Sequence, residues 1–244
     1  MKTISAFLAL VALFIAELAF ANSVATTVNG SVQVATGTAA ARPLRQGDEV
    51  RQGDTVTTGP NSSVVLRFDD GQIAALTSNS RMTVTAYQYN PQQSTGNVLL
   101  SLIDGGMRAI TGLIGKAAPT RVTYRAATAT IGIRGSEVML ATSRGNVVAI
   151  VLEDSISFTF NNRTVIVHAG EGVNARTDGS FQQGAAEEVL RGASPDEAGL
   201  IGGLQGLTDA INRALANFNG TGNNNNINSN PTPPGGGQPV ASPS

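Results

Sequence analysis

Apolar and polar residues alternate along most of the first three quarters of the chain. The alternation is clearest over residues 63–68, 82–87 and 155–160. Because successive side chains of a strand point to opposite faces, the pattern predicts strands with one face on a core and the other in water. Residues 147–152 are apolar throughout, which predicts a central strand covered on both faces. The expected fold class of residues 22–180 is mainly β, with short strands in curled sheets, arranged as a sandwich or in a solenoid-like coil.

The apolar phase changes sharply near residue 135. Ala127, Ala129, Ile131 and Ile133 occupy odd positions, whereas Val138 and Leu140 occupy even positions. An unbroken strand keeps its apolar side chains on one face, so the change predicts a bulge, bend or turn at residues 134–136. Gly135 is expected to make this feature, since glycine tolerates a positive φ.

A helical pattern follows in residues 185–218. Ser194 is placed as an N-cap, with Pro195 in the first turn and Glu197 completing a capping box. Gly202-Gly203 breaks this pattern. Apolar residues then recur at spacings of three and four, which predicts a stripe on one side of a second helix: Leu204, Leu207, Ile211, Leu215 and Phe218. Such a stripe either packs on the chain's own β domain or serves as a surface for docking or self-association. The pattern leaves both alternatives open.

The two ends of the chain carry different signals. Lys2 precedes an apolar run at residues 4–16, shorter than the roughly 20 residues that a membrane span needs. Ala19 and Ala21 then have the spacing that signal peptidase recognises. Residues 1–21 are therefore predicted to be a signal peptide cleaved after Ala21, leaving a periplasmic or secreted mature protein without a transmembrane segment. Residues 219–244 contain no charged residue and are rich in Asn, Pro and Gly, a composition typical of a disordered tail.

Composition excludes several kinds of chemistry. The chain has no cysteine, which excludes disulfides, thiolate metal sites and cysteine nucleophiles, and its one histidine, His168, cannot build a multi-histidine centre. Sixteen basic and seventeen acidic residues give a net charge of -1, which argues against a nucleic-acid partner. No phosphate-loop or nucleophile-elbow spacing occurs. We therefore expect no enzyme, and we assign no catalytic, cofactor-binding or metal-binding residue.

Arginine supplies the main remaining polar signal. Arg121, Thr123 and Arg125 fall on one face of a predicted strand. Clustered guanidinium groups can bind carboxylates, sulfates or phosphates. The near balance of acids and bases favours the alternative, an ordinary solvated strand face.

Two blocks in the middle of the chain show a motif pattern. The first, residues 44–71, contains Gly47-Asp48 and Gly53-Asp54 and closes on Asp70-Gly71. The second, residues 127–137, contains the run Gly132-Ile133-Arg134-Gly135-Ser136. With the closing segment at residues 168–173, these blocks resemble the FecR domain, a β-rich extracytoplasmic module, over residues 30–175. Ser136 stands where that family usually has threonine.

The resemblance implies a fold and a compartment but carries over no catalytic residues. It also suggests a structural role for Arg134, bridging backbone carbonyls at the bend. The regulators that give the family its name carry a sigma-factor-binding region and a membrane helix before the domain, whereas here a signal peptide is predicted directly before it. The expected function is an exported, non-enzymatic binding or scaffold module of the bacterial cell envelope, acting through protein or glycan contacts. The alternative is a regulatory or sensory partner in an envelope signalling system.

Overall fold

The computed structural model describes residues 22–221, so the predicted signal peptide at residues 1–21 and nearly all of the predicted tail lie outside this range. Strands make up most of the described residues: β1 Ser23–Asn29, β2 Val32–Thr36, β3 Arg42–Pro43, β4 Glu49–Val50, β5 Asp54–Thr58, β6 Ser63–Phe68, β7 Ile73–Leu76, β8 Arg81–Asn90, β9 Thr95–Ile110, β10 Val122–Ala126, β11 Ala129–Ile133, β12 Glu137–Ser143, β13 Asn146–Glu153, β14 Ser155–Phe160, β15 Arg163–His168, β16 Glu171–Ala175 and β17 Phe181–Ala185. The helices are α1 Leu113–Ala117, the 3-10 helix η1 Pro119–Arg121, α2 Ala186–Gly192, α3 Pro195–Gln205 and α4 Thr208–Thr221.

The strands form two layers that share the long strand β9. Layer A has the order β4-β1-β6-β7-β9-β12-β13-β16-β17, and layer B has the order β3-β2-β5-β8-β9-β10-β11-β14-β15. The first half of β9 pairs with β8 in layer B, and its second half pairs with β7 and β12 in layer A. Strands β9 and β10 run parallel, whereas the other strand pairs within residues 22–221 are antiparallel.

The main core lies between the two layers. Val64, Leu66 and Phe68 point into it from layer A, and Ile156 and Phe158 point into it from layer B. These are the apolar positions of the alternating segments, so the predicted mainly β fold is confirmed. Because side chains from two facing layers meet in one core, the arrangement is a sandwich rather than a solenoid-like coil.

The predicted break at residues 134–136 is where the chain passes from layer B to layer A. Strand β11 belongs to layer B and strand β12 to layer A. Gly135, between them, has a φ of 91°. The core lies on opposite sides of the chain in the two layers. The inward-facing side chains therefore change from odd to even positions where the chain crosses from layer B to layer A.

The outer face of layer A is covered by the C-terminal helices, which the alternation in residues 63–68 did not predict. Val65, on this outer face, is 1% exposed because it packs against α4 together with Ile73 and Ala75. Helices α2 and α3 cover Met139 and Ile150 in the same way. Residues 147–151 are buried, as predicted for a strand covered on both faces, while Leu152 is 37% exposed.

The predicted apolar stripe is the surface by which the helices pack on layer A. The predicted break at Gly202-Gly203 is wrong, because α3 continues through both glycines to Gln205 and α4 begins at Thr208, so the stripe is divided between two helices. Leu204 and Ile211 are buried, and Leu207 and Leu215 are partly buried against the same clusters. Phe218 packs over Gly71, where a Cβ atom would lie 2.7 Å from its ring. In this structure the stripe is therefore occupied within the chain.

Polar contacts also tie the helices to the sheet. Asn174 and Arg176 donate to the Gly192 carbonyl at the end of α2, at 2.9 and 2.7 Å. The predicted capping box of α3 forms between Ser194 and Glu197. Arg108, which is ion-paired with Glu137, donates to the Thr208 hydroxyl at 2.9 Å where α4 begins.

Two features of the chain differ from the sequence pattern. The short helices α1 and η1 interrupt the β region between β9 and β10, and five residues are too few for a recognisable helical period. Strand β17, at Phe181–Ala185, also lies beyond the predicted end of the β domain at residue 180. The C-terminal helices therefore begin only at Ala186.

We predict that Gly135→Val lowers the free energy of unfolding by roughly 1–3 kcal/mol, because valine is strained at positive φ. The new Cβ would also lie 3.1 Å from Asp154 Oδ2. Gly199→Val is the control, since no described atom lies within 4 Å of its Cβ position and its φ is ordinary. Equal denaturation midpoints for the two variants would contradict the assigned crossing.

We predict that Ile211→Ala destabilises the protein by roughly 2–5 kcal/mol, because it opens a cavity between α4 and layer A. Asn212→Ala, on the exposed side of the same helix, serves as the control and should be close to neutral. Urea unfolding and binding of a hydrophobic dye measure the effect. A helix that does not pack on the sheet in solution would give two equally stable variants.

Candidate functional site

Two turns of identical sequence contain the Gly-Asp aspartates of the first motif block. The sequences Arg45-Gln46-Gly47-Asp48 and Arg51-Gln52-Gly53-Asp54 each place glycine at positive φ, 88° and 90°. In each turn the aspartate accepts a hydrogen bond from the backbone N–H three residues earlier, at 3.0 and 2.9 Å. The hydrogen bond from the Arg45 backbone and a further one from the Arg42 side chain lower the pKa of Asp48. These carboxylates shape the loop between β3 and β5.

Asp70 has a different structural task in the buried interior. Its Oδ1 accepts from the Gln72 backbone N–H at 3.2 Å and from the Tyr87 hydroxyl at 3.1 Å. Its Oδ2 lies 3.4 Å from the Ile114 backbone N–H, and its carbonyl accepts from the Leu113 N–H at 2.8 Å. Asp70 therefore caps helix α1 from a distant hairpin, because the residue in the N-cap position of α1 is a glycine without a side chain.

Burial governs the ionisation of this buried group of side chains. Desolvation raises the pKa of Asp70 above its ordinary value of 3.8, although hydrogen bonds from Gln72, Ile114 and Tyr87 oppose the shift. Desolvation and the nearby Asp70 carboxylate also raise the pKa of the Tyr87 and Tyr124 hydroxyls. The Tyr124 hydroxyl donates to Gln72 Oε1 at 3.2 Å. The group is enclosed in the core, and its geometry is that of a structural network.

The outer face of layer B carries no helix of the kind that covers layer A. Hydroxyl side chains dominate this face: Thr55, Thr57, Thr83, Thr85, Ser101, Thr123, Thr130, Ser157, Thr159 and Thr164. Several pair across strands, such as Thr55 with Thr83 at 2.8 Å and Thr159 with Thr164 at 2.9 Å. The outer face of layer B is therefore polar and rich in threonine, which is a β-branched residue.

A groove of about 380 Å³ interrupts this face. Its walls come from η1, β10, β11 and β14: Pro119, Thr120, Val122, Thr123, Gly132, Ile133, Arg134 and Ser157. The opening depends on Gly132, because a Cβ atom there would lie 2.5 Å from Ser157 Oγ. We call this feature the Gly132 groove.

Three arginines lie in or next to the Gly132 groove. Arg134 forms part of its wall, and Arg121 lies between the lining residues Thr120 and Val122. Arg125 lies two residues beyond the lining residue Thr123 on β10, and all three side chains are exposed. None of the three forms an ion pair with a residue in the range 22–221. The sequence pattern indicated Arg121 and Arg125, and the lining of the groove adds Arg134.

Arg134 does not have the structural role that the sequence suggested. Its backbone N–H lies 3.4 Å from Ser136 Oγ, and its exposed guanidinium makes no hydrogen bond to a carbonyl among the described residues. The bend is held instead by Ser136 and by Thr111, whose hydroxyl donates to the Ser136 carbonyl at 2.7 Å. Arg134 is thus left free to contact another molecule.

A second cleft, of about 510 Å³, lies where α3 meets the rim of layer A. Polar residues line most of it, including Thr77, Asn79, Asp104 and Asp196. Gly203 allows the close approach of α3, since a Cβ atom there would lie 2.5 Å from Thr77 Oγ1. Its two carboxylates do not form a metal site: no group of three or more His, Asp or Glu side chains within residues 22–221 could hold a metal ion.

Comparison with known families identifies the β region. The model of the FecR protein family matches residues 54–157. These residues form a FecR domain. The match confirms the sequence resemblance, and it runs from the second Gly-Asp turn through the Gly135 crossing to Ser157 in the Gly132 groove.

Comparison with solved structures finds two crystal structures with partial similarity. Crystal structures at 1.65 and 2.50 Å resolution, described as a "putative anti-sigma factor" from Parabacteroides distasonis ATCC 8503, align with this chain at a TM-score of 0.44 and 10% sequence identity. The alignment covers 54% of this chain and 59% of each of those chains. No curated protein matches the chain in sequence. No helix in residues 22–221 has both the length and the apolar character of a membrane span.

We predict that the contribution of Asp70 to the free energy of unfolding depends on pH. This contribution should fall as the pH rises from 3.8, the ordinary pKa of the group, through the raised pKa of Asp70 in the folded protein. The folded protein retains this proton where the unfolded chain has released it, so Asp70 contributes most at acid pH. Asp70→Asn removes this slope. The advantage of the wild type over the variant in urea unfolding should therefore shrink as the pH approaches neutrality.

Asp178→Asn is the control, because the contribution of Asp178 to stability should change with pH in the opposite direction. Hydrogen bonds from Ser180 lower the pKa of the exposed Asp178, so its small contribution is present above 3.8 and is lost as the pH falls. A pH-independent difference between the wild type and Asp70→Asn would contradict the assigned ionisation of Asp70.

Proposed function

We propose that this protein is a non-enzymatic regulatory or sensory component of a cell-envelope signalling system, and that it acts by binding a partner protein. The observation that carries the proposal is the FecR domain at residues 54–157. That domain favours the regulatory alternative over the general scaffold expected from the sequence. A location outside the cytoplasm is part of the proposal, supported by the predicted signal peptide and by the extracytoplasmic character of the family.

The use of the motif residues supports a binding role rather than catalysis. Asp48, Asp54 and Asp70 hold turns and a helix end through hydrogen bonds within the chain. His168 is exposed on the edge strand β15, where its backbone N–H donates to Glu171 at 3.0 Å. The outer face of layer B is rich in hydroxyl side chains. Such an arrangement suits recognition of another surface.

The two faces of the sandwich also support a protein-binding role. Helices α2, α3 and α4 occupy the outer face of layer A, so a partner that leaves the fold intact must use other surfaces. Layer B offers a broad face with the Gly132 groove as its concave feature. A regulatory protein without a catalytic group needs such a face for its partner.

The proposal predicts a transcriptional response to loss of the protein. Deleting the gene in the host and sequencing RNA should show that a small, defined set of genes changes expression, and a wild-type copy in trans should restore it. An empty vector is the matched control. An unchanged transcript profile, accompanied by altered envelope composition, would instead favour the scaffold function.

A further inference from the structure

We propose that the Gly132 groove binds an extended segment of a partner protein that carries an acidic residue beside an apolar one. This inference rests on the proposed function and specifies the chemistry of the partner. It starts from the guanidinium groups of Arg121, Arg125 and Arg134, which are exposed and without ion pairs among residues 22–221.

The charge of the groove selects an anion. No acidic residue lines it, and Arg134 forms part of its wall. Asp154 lies near the bend, on the far side of Gly135, but forms no ion pair with Arg134. Arg121 lies between the lining residues Thr120 and Val122 and adds a second positive charge next to the groove. A guanidinium fork can bind a carboxylate through two parallel hydrogen bonds.

The apolar surface of the groove selects a peptide. Pro119 lines the groove next to Thr120 and Ser157, and the lining residues Val122 and Ile133 have their side chains buried in the main core. A highly charged polysaccharide has little apolar surface to bury there. An extended peptide can place an apolar side chain in the groove and direct the carboxylate of its neighbour toward the arginines, since successive side chains point in opposite directions.

The groove is preformed by local packing. Gly132 leaves space between Thr123 and Ser157, and its strand is paired on both sides, with β10 and with β14. The η1 helix closes one end, because Pro119 begins it directly before β10. A rigid groove loses little conformational freedom on binding, which favours affinity for a short segment.

A labelled peptide of alternating valine and glutamate provides the probe, and a valine–glutamine peptide is its neutral counterpart. Fluorescence anisotropy with the purified protein should detect the glutamate peptide, with an affinity that falls as salt is added. Arg134→Gln and Arg121→Gln should each weaken binding about tenfold, since each removes a charge-assisted hydrogen bond. Arg134→Lys should lie between the wild type and Arg134→Gln. Arg191→Gln, an exposed arginine on α2, should bind as the wild type does.

Amide chemical shifts locate the binding site. The glutamate peptide should shift the resonances of Thr120, Thr123, Gly132 and Arg134 and leave those of α2 unchanged. Equal binding by the wild type and Arg134→Gln, or shifts confined to other surfaces, would overturn the proposal. Binding of a heparin oligosaccharide without binding of the peptide would also overturn it, in favour of an anionic glycan.

The transcriptional readout separates this inference from the proposed function. If deletion of the gene alters transcription but the groove variants restore it as well as the wild type does, the groove assignment fails and the regulatory function stands. If deletion leaves transcription unchanged, the regulatory function fails whatever the peptide does. Melting temperatures of the groove variants should equal that of the wild type, because the substituted side chains are exposed.

Discussion

Burial of aliphatic side chains between two β layers is the interaction on which the rest of this structure depends. The chain has few aromatic residues, no tryptophan and no cysteine, so its stability relies on apolar area rather than on cross-links. A core between two layers requires the chain to cross repeatedly from one to the other. Each crossing reverses the side of the strand that faces inward. Gly135 makes one such crossing at a φ of 91°, and Asp154 makes the next at 56°.

The C-terminal helices determine which face of the sandwich is available. The outer face of layer A contains Val65, Ile73 and Met139, which would present an apolar surface to water without α2, α3 and α4. The helices are joined to it by packing and by hydrogen bonds to Gly192 and Thr208. Layer B is hydroxyl-rich on its outer face and needs no such cover. The asymmetry leaves the outer face of layer B without a helical cover among the described residues.

The FecR domain therefore combines a rigid structural framework with an open polar face. Its acidic motif residues are occupied inside turns and at the end of α1. The arginine of its second motif is free and lies at the Gly132 groove. The acidic motif residues therefore have structural roles, whereas Arg134 is exposed at the surface.

The sequence by itself determined the local features. Alternation predicted the strands, the phase change located the crossing at Gly135, and the Ser194–Glu197 box located the start of α3, because these signals arise from neighbouring residues. The apolar stripe indicated a helical surface but not its division between α3 and α4. Only the tertiary structure decided the sandwich arrangement, the covering of layer A and the place of Arg134 in the wall of the Gly132 groove. Those outcomes depend on which distant strands pair and which apolar faces meet. A period of two or 3.6 residues records that a face is apolar but not what covers it.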